Sequence, residues 1–311
     1  MKIKVSSCVC NPDKILKNSN IKIKSSLLKN EIIQFDCSNS IAYPPFINSH
    51  DHLISNWFPK AGLGKTYSYV NVWVKNLKNT DTFLERNKIW INDGSFDLTQ
   101  KAAKQIVMLG IYKNLFSGCT VVQDHMPKQK PSYYLDNPIN VLEDYTQRHS
   151  LSMGNWWGKD STEEKSGKAN DNIPFIMHLG EGSDEPAKKY FHKLKELKLL
   201  KSNTLLIHGI ALTKEQIKEC AEAGTSICWC PNSNFYLIGE TLDIDACLEY
   251  GVNVVLGTDS TISGSINLLE ELKFAHQKFS HIPMQQLFKM ITTNANKALK
   301  LPKEYGTISE N

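Results

Sequence analysis

Six residues spread along 311 positions have the types and spacing of one metal site: His50, His52, His178, Glu181, His208 and Asp259. The first two lie in Phe46-Ile-Asn-Ser-His-Asp-His-Leu53, a His-x-His at the end of a short apolar run. His178 and Glu181 close the run in Ile176-Met-His-Leu-Gly-Glu-Gly182, His208 ends Thr204-Leu-Leu-Ile-His208, and Asp259 ends Val252-Asn-Val-Val-Leu-Gly-Thr-Asp259. Each polar group terminates a β-branched or Leu-rich segment of strand length, and a helical pattern follows each one. Parallel strands gather reactive side chains at their carboxyl ends in this way. Imidazoles with a carboxylate are ligands suited to Zn²⁺ or Fe²⁺. One histidine at a strand end is more often structural than a ligand. Four of them, with Asp and Glu at equivalent places, are not accounted for by packing.

The elements that must position these groups are clearest after residue 173. Apolar runs at 173–177, 204–207, 225–229 and 252–257 alternate with helical patterns at 185–200, 213–223 and 242–250. Strand-then-helix alternation at this spacing implies right-handed crossovers and a parallel sheet. Earlier strands are expected at 45–48 and 121–123, with helices at 82–90 and 99–116, the latter carrying Ile106, Met108, Leu109, Tyr112 and Phe116 as its apolar positions. Helices at 266–279 and 284–299 close the chain. Residues 1–45 alternate short β-like runs (3–9, 21–23 and 32–35) with Asn, Ser and Lys turns, which predicts a small sheet. The expected class is therefore α/β: a (β/α)8 TIM-like barrel over 46–311, preceded by a small β domain over 1–45. Between Asp124 and Ile173 the barrel must fit a third and a fourth strand with their helices. That stretch offers one helix (138–148), one short strand (150–156) and a polar loop (159–172), so one β/α unit is expected to be shortened or missing.

Composition narrows the class. At 41% hydrophobic and 22% charged residues, a chain of this length buries a sizeable single core. The net charge of +4 is modest and the lysines are scattered, which is a solvated surface and not a nucleic-acid footprint. No apolar stretch approaches a membrane span, and the start Met1-Lys-Ile-Lys-Val-Ser lacks a signal-peptide core. Eight cysteines without a regular framework suit a reducing cytoplasm. Cys8-Val-Cys10 and Cys228-Trp-Cys230 could suggest a second metal, but in an apolar strand Cys behaves as a small hydrophobe.

The ordered set of His-x-His, His-x-x-Glu, His-Gly and Gly-Thr-Asp resembles the amidohydrolase superfamily, and within it the deaminase and chlorohydrolase branch. Pro45-Phe-Ile-Asn-Ser-His50, Ser117-Gly-Cys-Thr-Val-Val-Gln-Asp124 and Cys230-Pro-Asn-Ser-Asn234 support the resemblance. It implies one divalent cation, Zn²⁺ ahead of Fe²⁺, held by His50, His52, His178 and Asp259. Such a cation lowers the pKa of a bound water from about 15.7 toward 7. It also implies that Glu181 takes the water's proton and delivers it to a ring nitrogen and then to the leaving amine. His208 would orient the attacking oxygen and stabilise charge at the tetrahedral carbon, while Asp259 would be ligand and proton acceptor at once. Read without the resemblance, Glu181 is an acid favoured near a helix start. No Lys is convincingly placed at the end of a fourth strand, which argues for one metal over two.

The implied activity is hydrolytic deamination of a small heterocyclic amine such as a purine or pyrimidine. Within the same branch the rivals are release of chloride or an alkylamine from a triazine, or opening of an imidazolone ring. A third reading is a catalytically decayed barrel serving as a binding or subunit protein. His125 would reach the same mouth from the second strand and touch substrate, although a surface histidine is nearly as common there. Trp156 is a candidate aromatic wall, with core packing as its ordinary reading. Asn234 is expected either to cap the turn after the seventh strand or to reach substrate. His149, His192, His276 and His281 are expected at the surface. In the resembling enzymes, strands from both chain ends build one sandwich. Here 1–45 has no later strands to pair with, so either a homo-oligomer or excision from a longer sequence is expected.

Overall fold

The computed structural model describes residues 1–22, 34–92, 95–134, 136–154, 170 and 172–309. The first three strands, β1 (Lys2–Asn11), β2 (Lys14–Lys22) and β3 (Gln34–Ala42), form a sheet ordered β2-β1-β3, with β1 antiparallel to β2 and parallel to β3. The Pro12-Asp13 turn is tightened by the Asp13 amide donating to Asn11 Oδ1 (2.9 Å). Val5, Cys8 and Cys10 form a small buried cluster with Ile308, whose amide donates to the Cys10 carbonyl (2.7 Å). Among the described cysteines none is bridged.

The remaining strands fall into two parallel sheets. β4 (Phe46–Asp51) is followed by a minimal hairpin of β5 (Ile91–Asn92) and β6 (Ser95–Phe96). It pairs with β7 (Cys119–Asp124), which pairs with β8 (Asn140–Val141). The second sheet is ordered β13-β12-β11-β10-β9: β9 (Thr146–Ser150), β10 (Phe175–Leu179), β11 (Thr204–His208), β12 (Ser226–Trp229) and β13 (Val254–Leu256). The two sheets meet where Asp51 bridges Asp259, the Asp259 amide donating to the His50 carbonyl (3.2 Å) and the His52 amide to the Asp259 carbonyl (3.3 Å).

Side-chain alternation assigns the two faces. Ile176, Leu205, Ile207, Cys228 and Val255 pack on the inner side with Ile47 and Val121. Met177, Leu206, Ile227, Trp229, Val254 and Leu256 pack outward against the helices. Every one of these is buried, as expected where helices cover a parallel sheet. Cys228 and Cys230 are part of the inner packing, as their apolar strand predicts.

The helices are α1 (Val70–Leu77), α2 (Asp81–Trp90), α3 (Lys101–Phe116), α4 (Glu185–Glu196), α5 (Lys214–Ala223), α6 (Pro231–Leu237), α7 (Ile244–Glu249), α8 (Leu268–Lys278), α9 (Met284–Met290) and α10 (Thr293–Leu299). Several starts are written in the sequence. Asp184, Thr213 and Asn267 accept from the amide three residues on, and Thr213 with Gln216 closes a capping box. The expected long helix over 284–299 breaks into α9 and α10 at Thr292, whose φ of −132° and ψ of −98° are not helical. Among the described residues no helix is long and apolar enough to cross a membrane.

The stretch expected as a helix at 138–148 is instead β8 and β9, and the strand expected at 150–156 ends at Ser150. Ile139, Val141, Tyr145 and Gln147 are buried there at spacings that are multiples of two. Leu142 extends the first sheet by donating to the Val122 carbonyl (2.9 Å), and Thr146 opens the second by donating to the Pro174 carbonyl (2.9 Å). Only 142–145 separate the two strands, far short of the dozen or more residues that a crossover between parallel strands requires.

Candidate metal centre and active site

β4, β10, β11 and the turn after β13 carry the candidate residues to one place. The His50 ring lies 4.8 Å from that of His52 and 4.9 Å from that of His178, and His178 lies 5.3 Å from His208, centroid to centroid. Asp259 Oδ1 is 3.4 Å from His52 Nε2 and 3.7 Å from His50 Nε2. Glu181 Oε1 is 3.6 Å from His208 Nε2. The ligand atoms of His50, His52 and Asp259, and those of His50, His178 and His208, each lie within 4.8 Å of one another.

Local backbone geometry delivers these groups. On β11, Leu205 and Ile207 face inward, so regular alternation would turn residue 208 outward. His208 instead has φ of +75°, in the left-handed region, which rotates it back into the cluster. Asp259 is also left-handed, at +56°. Non-glycine residues held there cost of order 1–3 kcal/mol and concentrate at functional sites. Gly257 permits the close approach between strands: a Cβ on it would lie 2.7 Å from both Cys228 Sγ and His50 Cβ.

A surrounding layer fixes each ring nitrogen and carboxylate oxygen. The His178 Nδ1–H donates to the His149 carbonyl (2.8 Å), leaving Nε2 for a cation. The Asn234 amide donates to Thr241 Oγ1 (3.0 Å), so its Oδ1 accepts from His208 Nδ1 (2.8 Å) and the His208 Nε2 faces Glu181. The hydroxyls of Ser233 and Ser263 both donate to Asp259 Oδ2 (2.6 Å each), which leaves Oδ1 toward His50 and His52. Beneath the His-x-His, fully buried Asp51 pairs with Lys113 Nζ (2.9 Å) and accepts from Asn114 and Asn56 (2.8 Å each). Replacing Lys113 with Met strands a buried carboxylate. The expected cost is about 3–5 kcal/mol, read as a drop of roughly 10 °C in the thermal midpoint. An unchanged midpoint would show that Asn56 and Asn114 satisfy Asp51 unaided.

Burial sets the protonation states. Desolvation, then the neighbouring imidazole of His50, pulls His52 down to about 4. Desolvation also takes His208 to about 4, and with the surrounding rings it takes His149 to about 3 and holds His125 and His178 well below the ordinary value. These rings are therefore neutral at pH 7. Burial works against ionisation of Asp259, but His50, His52 and His208 outweigh it and hold its carboxyl well below the usual range. Glu181 moves the other way, raised well above the usual carboxylate value by burial and by the charge of Asp259. Both ring nitrogens of His50 are buried without a hydrogen-bond partner. A fully desolvated imidazole with an idle lone pair, among neutral rings and an ionised carboxylate, fits a divalent cation.

The cluster opens on a cavity of about 570 Å³ that includes His52, His178, Glu181, His208 and Asp259 in its wall. Trp73 on α1 and Phe83 and Trp90 on α2 supply its aromatic side. Neither α1 nor its contribution to the site was expected from the sequence; Val70, Trp73, Val74 and Leu77 carry the helical spacing that would have found it.

His50, His52, His178, Glu181, His208 and Asp259 are thus brought together. His125 joins them fully buried, its ring 4.5 Å from that of His178. His149 is a correction. Expected at the surface, it lines the cavity with its ring 4.9 Å from His178, because residues 146–150 form β9 in place of the expected helix. His192, His276 and His281 are exposed as expected. Asn234 is buried against His208, and Trp156 lies outside the described residues.

A model of the amidohydrolase family matches residues 168–311, the part carrying His178, Glu181, His208 and Asp259. A 5-methylthioadenosine/S-adenosylhomocysteine deaminase of Thermococcus sibiricus is 25% identical over 344 residues, covering 97% of this chain and 79% of that protein. Over residues 168–311 the chain is similar to the amidohydrolase family. Identity rises over shorter spans: a protein of the same name from Pyrococcus furiosus is 34% identical over 161 residues, 47% of this chain. That alignment takes in 38% of the Pyrococcus protein, so the chain matches well under half the length of that curated relative. Among solved structures, an adenosine deaminase from Xanthomonas campestris with bound zinc superposes with a TM-score of 0.72 at 15% identity, covering 99% of this chain and 82% of that one. A guanine deaminase from C. acetobutylicum with bound guanine gives 0.68 at 19%, covering 100% and 88%. At such identities the likeness is one of fold.

Proposed function

We propose that this chain is an amidohydrolase, a metal-dependent hydrolytic deaminase of a heterocyclic amine. The observation that carries the reading is Glu181: a buried carboxyl of raised proton affinity, 3.6 Å from His208 Nε2, in one cavity with the histidine–Asp259 cluster. His50, His52, His178 and Asp259 would hold one divalent cation, Zn²⁺ ahead of Fe²⁺. When bound, the cation acidifies water to near neutrality. Glu181 takes one proton from the water and delivers it to a ring nitrogen; a second proton, from the added hydroxyl, passes by way of Asp259 to the amine, which departs as ammonia as the carbonyl forms. His208, its Nδ1–H anchored on Asn234, offers Nε2 to the oxygen adding at the amine-bearing carbon. Asp259, with Oδ2 held by two serines, serves as ligand through Oδ1 and as second proton acceptor. His125 and Asn234 support the histidine array, and Trp156 remains the proposed aromatic wall. The test is ammonia release by the zinc-loaded chain from purines, pyrimidines and pterins. Activity on any of them supports deamination; a metal-loaded chain inert to all supports the decayed-barrel reading.

We further read 1–45 as a small β domain and 46–311 as the barrel, with one β/α unit shortened; the four-residue link between β8 and β9 supports this. Among the described residues β2 and β3 are the edges of their sheet, and with the exposed Phe35, Ile41 and Tyr43 beside them they favour a homo-oligomer. Eight unbridged cysteines favour the cytoplasm.

A further inference from the structure

The cavity is lopsided in charge. Among the described residues the acidic groups in its wall are Glu181 and Asp259, both part of the histidine cluster, and the other charged groups are cations on the α1–α2 side: Lys75, Lys78 and Arg86. The Arg86 guanidinium is sandwiched between two rings, its Cζ 3.9 Å from the Phe83 centroid and 4.2 Å from that of Trp90. Its Nε is buried without a hydrogen-bond partner. Among the described residues no carboxylate lies within ion-pair distance of it; neighbouring Glu85 pairs with Lys88 instead.

Stacking on aromatic faces offsets part of the cost of desolvating a guanidinium, but it leaves the in-plane donors unused. Burial lowers the Arg86 pKa to about 9, so the group is still cationic at neutral pH. An arginine whose stem is clamped and whose donors border a cavity is preorganised for a carboxylate or a phosphate. The volume agrees: cavities of 300–1,000 Å³ enclose drug-sized ligands, and about 570 Å³ is more than a bare base fills.

We propose that Arg86, with Lys75 and Lys78 beside it, receives an anionic substituent of the substrate, a carboxylate or phosphate, while the amine-bearing ring faces the histidine cluster. This rests on the deaminase reading for its second half, whereas anion recognition stands on the α1–α2 wall. The substrate class is then a heterocyclic amine with a negatively charged side group, not a neutral base.

The experiment uses the full zinc-loaded chain with adenosine, guanosine and cytidine, each alongside its 5′-monophosphate and 5′-carboxylate. Dissociation constants come from calorimetry and kcat/KM from ammonia release. In the wild type at least one anionic member should bind about 10–100-fold more tightly than its neutral parent, the range of charge-assisted hydrogen bonds, and phosphate against carboxylate identifies which anion fits. Arg86→Met should bring that ratio close to one, and Arg86→Lys should restore part of it. Should Arg86→Met not fold, Lys75→Gln/Lys78→Gln at two exposed positions should still lower the ratio. Equal binding of charged and neutral members by the wild type, no binding by any anionic member at millimolar concentration, or a ratio that survives in Arg86→Met overturns the proposal. Charge-selective binding without ammonia release would instead overturn the deaminase reading and leave the anion subsite standing.

Discussion

Glu181→Gln should keep its metal and lose about 10²–10⁴-fold in turnover, the usual contribution of a positioned general acid–base group. The substitution is close to isosteric, so the cavity and the neighbour at 3.6 Å, His208, should stay in place. What disappears is the capacity to accept a proton. Burial and Asp259 raise the proton affinity of the native carboxyl, which suits a group that must hold a proton between its removal from water and its delivery to the ring. An amide cannot do so at any pH. The informative measurement pairs kcat on a confirmed substrate with zinc content by elemental analysis. Wild-type turnover with full zinc would reduce Glu181 to an acid near the start of α4, and the proton-shuttle assignment would fail. Loss of zinc along with activity would make it a ligand.

The legible part of the site is the part built on alternation. His50, His178 and Asp259 each follow a run such as Ile176-Met177 or Val254-Val255-Leu256, whose apolar pattern announces a strand in a parallel sheet. His208 was located by the same logic, yet alternation alone would face it outward; the left-handed backbone that turns it in has no signal in residue type. The segment 138–150 misled because Leu142, Glu143 and Asp144 interrupt the period-two pattern of Ile139, Val141, Tyr145 and Gln147 at the bend between two sheets. With that strand misread, His149 went to the surface. Arg86 was invisible for another reason: a cation on an amphipathic helix is ordinarily solvated, and only the packing of Phe83 and Trp90 around it reveals otherwise. Helix caps such as Asp184, Thr213 and Asn267, by contrast, depend on neighbours three residues apart, a signal local enough to stand in the sequence.

Removing a ligand should have the larger effect on the metal itself. His178→Ala leaves His50, His52 and Asp259, and zinc content should fall from about one ion per chain to a small fraction, with activity at background. The same loss should follow acidification, and its sign can be worked out. His52 and His208 sit near 4 when buried, against an ordinary value of 6.5. Their folded-state values are depressed, so above 6.5 neither state binds protons and folding carries no penalty from them. As pH falls from 6.5 toward 4 the unfolded chain takes up protons that the folded chain refuses, and stability drops. A bound cation adds to this, because it also requires neutral rings and stabilises the folded state in proportion to its occupancy. The thermal midpoint of the zinc-loaded wild type should therefore fall between pH 6.5 and 4, and chelation at pH 7.5 should lower it as well. In His178→Ala, chelation should change the midpoint little, since little ion is there to remove. A midpoint in the variant that responds to chelator as the wild type does would move the metal away from His178.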